Sequence, residues 1–171
     1  IETDDTNQAT LLFKEGGASK YNVAHVGSSD TFQVWNYTTN TRALGIDNAS
    51  RVTMPSQPSF RASNGVTTFF GAGASFACST VHHNIGSHYN TNGTFTAPVS
   101  AVYHFNYSVT PLGGGVASNG STAFRLNGTT IAQILDYSAA DSSTQSITVY
   151  MAANDTMEAI GRGANNGSWT S

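Results

Sequence analysis

The feature that most constrains this chain is the segment from residue 93 to residue 109. From residue 99 onward, its even positions are polar except for Val102, and its odd positions are mostly aromatic or branched. These odd positions are Ala101, Tyr103, Phe105, Tyr107 and Val109. Alternation over about ten residues predicts a strand with one buried, bulky face and one outward face.

The aromatic row on this strand is assigned to packing and not to ligand binding. Its side chains are large enough to contact either a second sheet or a neighbouring subunit, and they belong to Tyr103, Phe105 and Tyr107. Phe60 and Phe95 are placed in the same structural set. The residues alone leave two locations open for this set, the core of the chain and the axis of a trimer.

Short strand-like runs separated by turn signals cover the rest of the chain and predict an all-β protein. In the N-terminal part, the predicted strands are residues 10–14, 21–26, 31–37, 43–46 and 51–54. Beyond residue 57 we expect ten strands and a final stub: residues 58–62, 67–70, 75–81, 86–89, 94–97, 100–110, 121–126, 129–137, 144–152, 156–161 and 168–171. Asn127 and Gly128 predict a hairpin, because both residues tolerate positive φ.

We expect two parts, residues 1–57 and residues 58–171. The first part holds few apolar groups and is too thin for a stable monomeric domain. It becomes plausible as a β-rich stem if three copies pack around a common axis. Pro55 and Pro58 stiffen the joint between the two parts and oppose helix formation.

Charge is scarce in this sequence. Charged residues make up 10% of the chain, against about 25% in an average domain, and the net charge is −3. This balance gives no reason to expect nucleic acid as a partner, and no apolar run is long enough to insert in a membrane. Because the chain starts at Ile1 without a visible signal peptide, we expect a fragment or a processed product.

The cysteine and histidine residues give weak signals for chemistry. Cys78 is the one cysteine and lies in a β-like run, which favours a small buried side chain. His82 and His83 would point to opposite faces of a strand, so only one of them could join His88. No zinc-ligand spacing accompanies them. We interpret these histidines as surface or interface residues, with copies of His88 meeting at a three-fold axis as the open alternative.

The scarcity of carboxylates argues against an enzyme. Glycoside hydrolysis needs two carboxylates facing each other across a cleft. In residues 58–171 only Asp136 and Asp141 flank one loop, and Asp155 is better explained as a turn residue. No nucleophile, base and acid set is discernible, so we predict a non-enzymatic protein, with a depolymerase as the least favoured alternative.

Four landmarks resemble the globular-head domain of the first complement component, which shares the tumour-necrosis-factor jelly roll. They are residues 58–62, residues 84–89, the Phe124 to Gly128 hairpin and residues 147–156, and they flank residues 93–105, which resemble the signature of that domain. Ala101 departs from the glycine that is usual in the family, and the last strand is only starting where the chain ends. The resemblance implies a ten-strand jelly-roll sandwich that forms a homotrimer, with the aromatic strand in the sheet near the three-fold axis.

The resemblance also implies where a ligand would bind. Both termini of such a head lie at its base, so loops at residues 63–65, 113–120, 139–143 and 163–167 would form its tip. Their amide-rich composition suits sugar hydroxyls, and the candidate ligand-binding residues are Asn64, Asp141, Asn165, Asn166 and Trp169. Some relatives bind calcium near the tip, where Asp141 would be a weak candidate ligand. One carboxylate falls short of the six to eight oxygens that calcium prefers, unless symmetry supplies more.

Residues 44–58 resemble the β-turn element and Pro-rich joint that precede receptor-binding tips in tailed-phage fibre proteins. Together the two resemblances imply an extracellular virion fibre or spike tip that binds a host cell-surface receptor, expected to be a carbohydrate. The N-terminal segment would then contact other virion proteins. Two alternatives stay open: a virion structural or decoration protein without receptor binding, and a secreted lectin-like module of the complement-head family.

Overall fold

A computed structural model describes residues 8–64, 68–70, 73–111, 120–136, 142–162 and 167–170. The chain divides into two compact units, Ile1–Gln57 and Pro58–Ser171. The described residues form strands joined by turns, together with one 3₁₀ turn at Gly27–Ser29. None of them forms a helix long and apolar enough to cross a membrane. The predicted all-β class is therefore confirmed.

The N-terminal unit is one antiparallel sheet in which each strand pairs with the next. Its strands are β1 (Gln8–Glu15), β2 (Ala18–Val26), β3 (Thr31–Asn36), β4 (Thr41–Ile46) and β5 (Val52–Thr53). Gly16 and Gly17 have φ angles of 56° and 82°, the left-handed conformation that a two-residue hairpin requires. Each predicted run in this part of the chain overlaps one of these strands.

The C-terminal unit is built from strands that pair out of chain order, as in a jelly roll. These strands are β6 (Ser59–Ser63), β7 (Thr68–Phe70), β8 (Thr80–Ile85), β9 (Thr94–Thr96), β10 (Ala101–Pro111), β11 (Gly120–Leu126), β12 (Thr129–Asp136), β13 (Ser143–Met151), β14 (Thr156–Arg162) and β15 (Gly167–Thr170). One sheet has the order β13-β10-β15-β7, a second has the order β12-β11-β14-β9, and β6 pairs with β8.

Aromatic side chains from β9, β10 and β11 form the core of the C-terminal unit. Phe95, Phe105 and Phe124 are buried there together with Met151 and Met157. The ring of Phe95 lies 5.3 Å from that of Phe105 and 5.4 Å from that of Tyr103. Phe60, Tyr103 and Tyr107 pack against this cluster. The five side chains assigned to structural packing therefore meet within one chain.

Two predicted strands, residues 75–81 and residues 86–89, differ from the observed structure. A single strand, β8, runs from residue 80 to residue 85 instead. Gly86 and Ser87 have φ angles of 80° and 59°, so the chain turns where the second strand was expected. The Asn84 side chain then donates to the Tyr89 carbonyl at 2.6 Å and accepts from the Tyr89 amide at 3.1 Å, which fixes that turn.

The hairpin between β11 and β12 has the predicted turn, with Asn127 and Gly128 at φ angles of 48° and 81°. The Asn127 side chain also joins this turn to the next one. Its Nδ2 donates to Asp155 Oδ1 at 2.8 Å, and its Oδ1 accepts from the Thr156 amide at 2.8 Å. Asp155 accepts a further bond from the Ala152 amide, so its role as a turn residue is confirmed.

We predict that Phe95→Ala lowers the free energy of unfolding by roughly 3–5 kcal/mol, because it leaves a cavity where three aromatic rings meet. Urea unfolding followed by tryptophan fluorescence measures the change. The matched control is Val99→Ala, which truncates an exposed side chain and should cost no more than about 0.5 kcal/mol. Equal losses for the two variants would show that Phe95 does not anchor the core.

Candidate functional site

The outward face of β10 and β13 carries an apolar pair among polar residues. Val102 lies directly opposite Tyr150 in the register of the two strands. Both side chains are exposed, at 66% and 62%. Because adjacent residues of a strand point to opposite faces, the inward positions of the partly buried Tyr103 and the buried Phe105 oblige Val102 and His104 to face outward. The two side chains therefore form an exposed apolar patch on this outward face.

His104 continues this outward face, and both nitrogens of its ring contact hydroxyl groups. Its Nδ1 lies 3.0 Å from Thr148 Oγ1, and its Nε2 lies 3.3 Å from Ser146 Oγ. Further along, Thr144 donates to Ser108 at 3.1 Å. These cross-strand contacts pair the polar side chains with one another, and the described outward side chains of β10 and β13 include no carboxylate, Lys or Arg.

A cavity of about 360 Å³ lies between β6 and the aromatic core. Its wall includes Phe60, Cys78, Tyr89, Phe105 and Tyr107. The described residues that line it include no carboxylate and no histidine. The cavity is therefore lined mainly by aromatic and other apolar side chains, with a few uncharged polar groups such as Asn106 and Ser108.

Cys78 lies in this wall as the buried residue that the sequence predicted, with 8% of its surface exposed. Its backbone amide donates to the Tyr89 hydroxyl at 3.3 Å. Burial raises the pKa of Tyr89 to about 12, and the neighbouring Cys78 thiol adds to the effect. Tyr89 is therefore a neutral phenol over the physiological pH range and acts here as a hydrogen-bonding wall residue.

The three clustered histidines do not converge in this structure. His82 Nε2 lies 2.8 Å from Ser63 Oγ, whereas His83 lies opposite Arg61 in the register of β8 and β6. The His88 ring stands edge-on to Phe95 at 6.4 Å. Within the described part of the chain, no three His, Cys, Asp or Glu side chains form a group that could hold a metal ion.

Glu158 and Arg125 form a partly buried ion pair on the sheet opposite β10. Arg125 donates to Glu158 Oε2 through Nε at 2.9 Å and through Nη2 at 2.8 Å. Ser75 and Thr94 donate to the other carboxylate oxygen at 2.6 Å and 3.1 Å. Arg125 also donates to the Gly73 carbonyl at 3.3 Å. The pair thus ties the irregular segment around Ser75 to the sheet, which is a structural role.

The structure places few of the predicted ligand-binding residues. Asn64 is buried, with 5% of its surface exposed, and its Nδ2 donates to the Ala77 carbonyl at 3.5 Å. Its side chain is therefore not presented at the surface as the tip-loop prediction requires. Asp141, Asn165 and Asn166 lie outside the described residues. Trp169 lies in β15, which contacts β10 and β7, but its side chain is not described.

The Val102–Tyr150 pair was missed by the sequence analysis. The signal was present, since Val102 is the one apolar residue at an even position of the alternating segment. Its partner could not be found from the sequence, because the two residues are brought together by the register between strands that are distant in the chain. Val102 was therefore the sequence signal for this surface, because it is an apolar residue among polar outward-facing positions.

The strands of the C-terminal unit form a two-layer antiparallel jelly roll, which places this unit in the class of β-sandwich proteins. The sequence matches the C1q domain over residues 60–157, more than half of the chain. The chain therefore belongs to the C1q domain family, and the predicted complement-head resemblance is confirmed. Members of this family are non-enzymatic binding modules that commonly form trimers and are typically extracellular.

Solved structures agree with this fold. The globular domain of zebrafish complement 1qA protein superposes with a TM-score of 0.56 at 12% identity, covering 67% of this chain and 91% of that one. A family 35 carbohydrate binding module from an environmental isolate covers 67% of this chain and 84% of its own at 12% identity, but its TM-score of 0.31 is too low to support an inference. The search of curated proteins found no match.

We predict that Glu158→Gln destabilises the fold by roughly 1–3 kcal/mol at neutral pH. Burial by itself raises the pKa of Glu158, but the hydrogen bonds from Ser75 and Arg125 outweigh it and hold the pKa below its ordinary value of 4.5. The stabilisation is therefore fully present above pH 4.5 and is lost as the pH falls through the lowered folded-state pKa.

Urea unfolding at a series of pH values measures this effect. The difference between the unmodified chain and Glu158→Gln should be largest at neutral pH and should shrink in acid. Glu15→Gln is the control, since its side chain is 81% exposed and pairs only with Lys20 at 3.6 Å. A difference for Glu158→Gln that is the same at pH 7 and in acid would contradict the assigned ionised pair.

Proposed function

We propose that this chain is a non-enzymatic virion fibre or spike protein, the tip of a tailed-phage fibre. Its C-terminal head binds the host cell surface as a homotrimer, and the ligand is a glycan. Its N-terminal unit serves as the stem and contacts other virion proteins. The observation that carries the proposal is the exposed Val102–Tyr150 pair on an otherwise polar face of a C1q head.

The trimer part of this proposal rests on the outward face of β10 and β13. An exposed Val and Tyr side by side are unfavourable in water, and their burial against a neighbouring subunit is worth about 25 cal/mol for each Å² of apolar surface removed. His104 and its hydroxyl partners surround the pair and supply hydrogen-bonding groups at the rim. Membership of a family that commonly forms trimers supports the same assembly.

The glycan part of the proposal rests on composition and symmetry. Loops rich in Gly, Asn and Ser present amide and hydroxyl groups, and three shallow sites held together give avidity far above that of one site. We assign the contacts to Asp141, Asn165, Asn166 and Trp169, with calcium bound near Asp141 only if symmetry supplies further oxygens. Asn64 is left out of this set because its side chain is buried.

The virion location rests on the resemblance of residues 44–58 to the joint of tailed-phage fibre proteins. A secreted lectin-like module of the complement-head family is the second candidate, and the match to the C1q domain favours it equally. Electron microscopy with an antibody against this chain separates the two, since the fibre proposal requires labelled virions and the secreted module requires none.

The proposed trimer predicts that Val102→Glu dissociates the head. Three carboxylates brought together across an apolar contact repel one another and lose hydration, which costs several kcal/mol. Light scattering should show the mass falling toward that of one 17.9 kDa chain. Ile131→Glu, on the other sheet and also exposed, should leave the mass unchanged. The light scattering is repeated over a dilution series, because a second contact elsewhere in the chain would hold the trimer together at high concentration. A Val102→Glu trimer that withstands dilution as well as the unmodified trimer does would exclude this face as a trimer contact.

The proposed ligand site predicts that a combined Asp141→Ala, Asn165→Ala and Asn166→Ala variant loses binding on a glycan array. Removing three polar contacts from each of three sites should reduce the retained signal at least tenfold, because avidity multiplies the loss. Thr129→Ala, an exposed change in the β11–β12 hairpin, is the control. Retained binding by the triple variant, or no glycan bound by the unmodified trimer, would overturn the assignment.

A further inference from the structure

One face of the N-terminal sheet carries large apolar side chains on all five strands. Directly paired residues of an antiparallel sheet share a face, so the register defines it. One row runs from Leu11 through Val23 and Val34 to Leu44. A second row runs from His25 through Phe32 and Ile46 to Val52. The apolar face, as we name it, consists of Leu11, Phe13, Tyr21, Val23, Phe32, Val34, Leu44, Ile46 and Val52. Ala9, His25, Asn36 and Thr41 lie on the same side, toward the ends of the strands.

The apolar face is the more exposed side of this sheet. Its Leu11, Phe13, Tyr21, Phe32 and Val52 are all exposed to solvent. The buried residues of this unit lie on the opposite face and are small or polar: Asn22, Ala24, Thr31 and Gly45. A single sheet that turns its larger apolar side chains outward needs a further layer, because contiguous exposed apolar surface of this kind marks an interface.

We propose that two further copies of this chain cover the apolar face, so that three N-terminal sheets pack together around one axis. The inference rests on the trimer proposed for the head. A trimeric head holds three such faces at the end of a short joint, where their effective concentration is of millimolar order. The listed apolar residues carry no charge that would select a partner of complementary charge, and the neighbouring His25 already contacts Asp30 Oδ1 at 2.9 Å. The same face on another copy of this chain is equally apolar and is therefore a suitable partner.

Thiol labelling of Leu11→Cys and Leu12→Cys tests this proposal. The two residues are adjacent on β1 and point to opposite faces, and the native Cys78 is buried. In a free chain the thiol at position 11 should react faster, because Leu11 is 54% exposed and Leu12 only 39%. Packing of three sheets reverses this order, and we expect labelling at position 11 to be at least tenfold slower than at position 12.

The solution mass of each labelled sample decides which proposal fails. A trimer with slow labelling at position 11 supports the inference. A trimer that labels at position 11 as fast as at position 12 overturns it and leaves the head trimer intact, whereas a folded monomer overturns both. Val52→Cys, also on the apolar face, replaces Leu11→Cys if that variant fails to fold. If position 11 labels fast in the purified trimer but is protected on the virion, the apolar face does not bind other copies of this chain. That result would assign the face to another virion protein.

Discussion

The contact between Phe95 and the aromatic side of β10 is the interaction on which the rest of the head depends. The rings of Tyr103 and Phe105 lie within 5.5 Å of Phe95, and this cluster joins the two sheets of the sandwich. A shift of one residue in the register of β10 would turn the rings of Tyr103 and Phe105 to the outer face. The same parity that buries them turns Val102 and His104 outward beside Tyr150 and Thr148. The alternation of residues along β10 therefore places the core on one face of the strand and the proposed subunit contact on the other.

The N-terminal sheet follows the same rule of alternation but has no second layer of its own among the described residues. Its apolar face stays exposed, and its opposite face holds small buried residues such as Ala24 and Gly45. The head closes its core within one chain, whereas the N-terminal unit needs a neighbour to bury Leu11 and Phe32. The proposed trimer supplies that neighbour, so the stability of this unit should depend on assembly while the head retains its own core.

Much of the fold could be predicted from local sequence signals. The alternation predicted the long strand β10. The Asn127–Gly128 pair predicted the β11–β12 hairpin, and Asp155 predicted the turn in which it lies. The region around residues 75–89 could not be predicted, because its path depends on the Asn84–Tyr89 hydrogen bonds and on the Glu158–Ser75 contact between distant residues. The Val102–Tyr150 pair and the burial of Asn64 likewise depend on register and packing, which a single sequence does not specify.

Sedimentation equilibrium of the unmodified 171-residue chain over a wide range of concentration would show whether it forms the proposed trimer. We expect one assembled species with three times the mass of a 17.9 kDa chain, in equilibrium with monomer only at high dilution. Two contacts that act together, one on the head and one on the N-terminal sheet, should leave no stable dimer. A folded monomer at all concentrations would contradict the account and would leave both exposed apolar surfaces without their proposed partner.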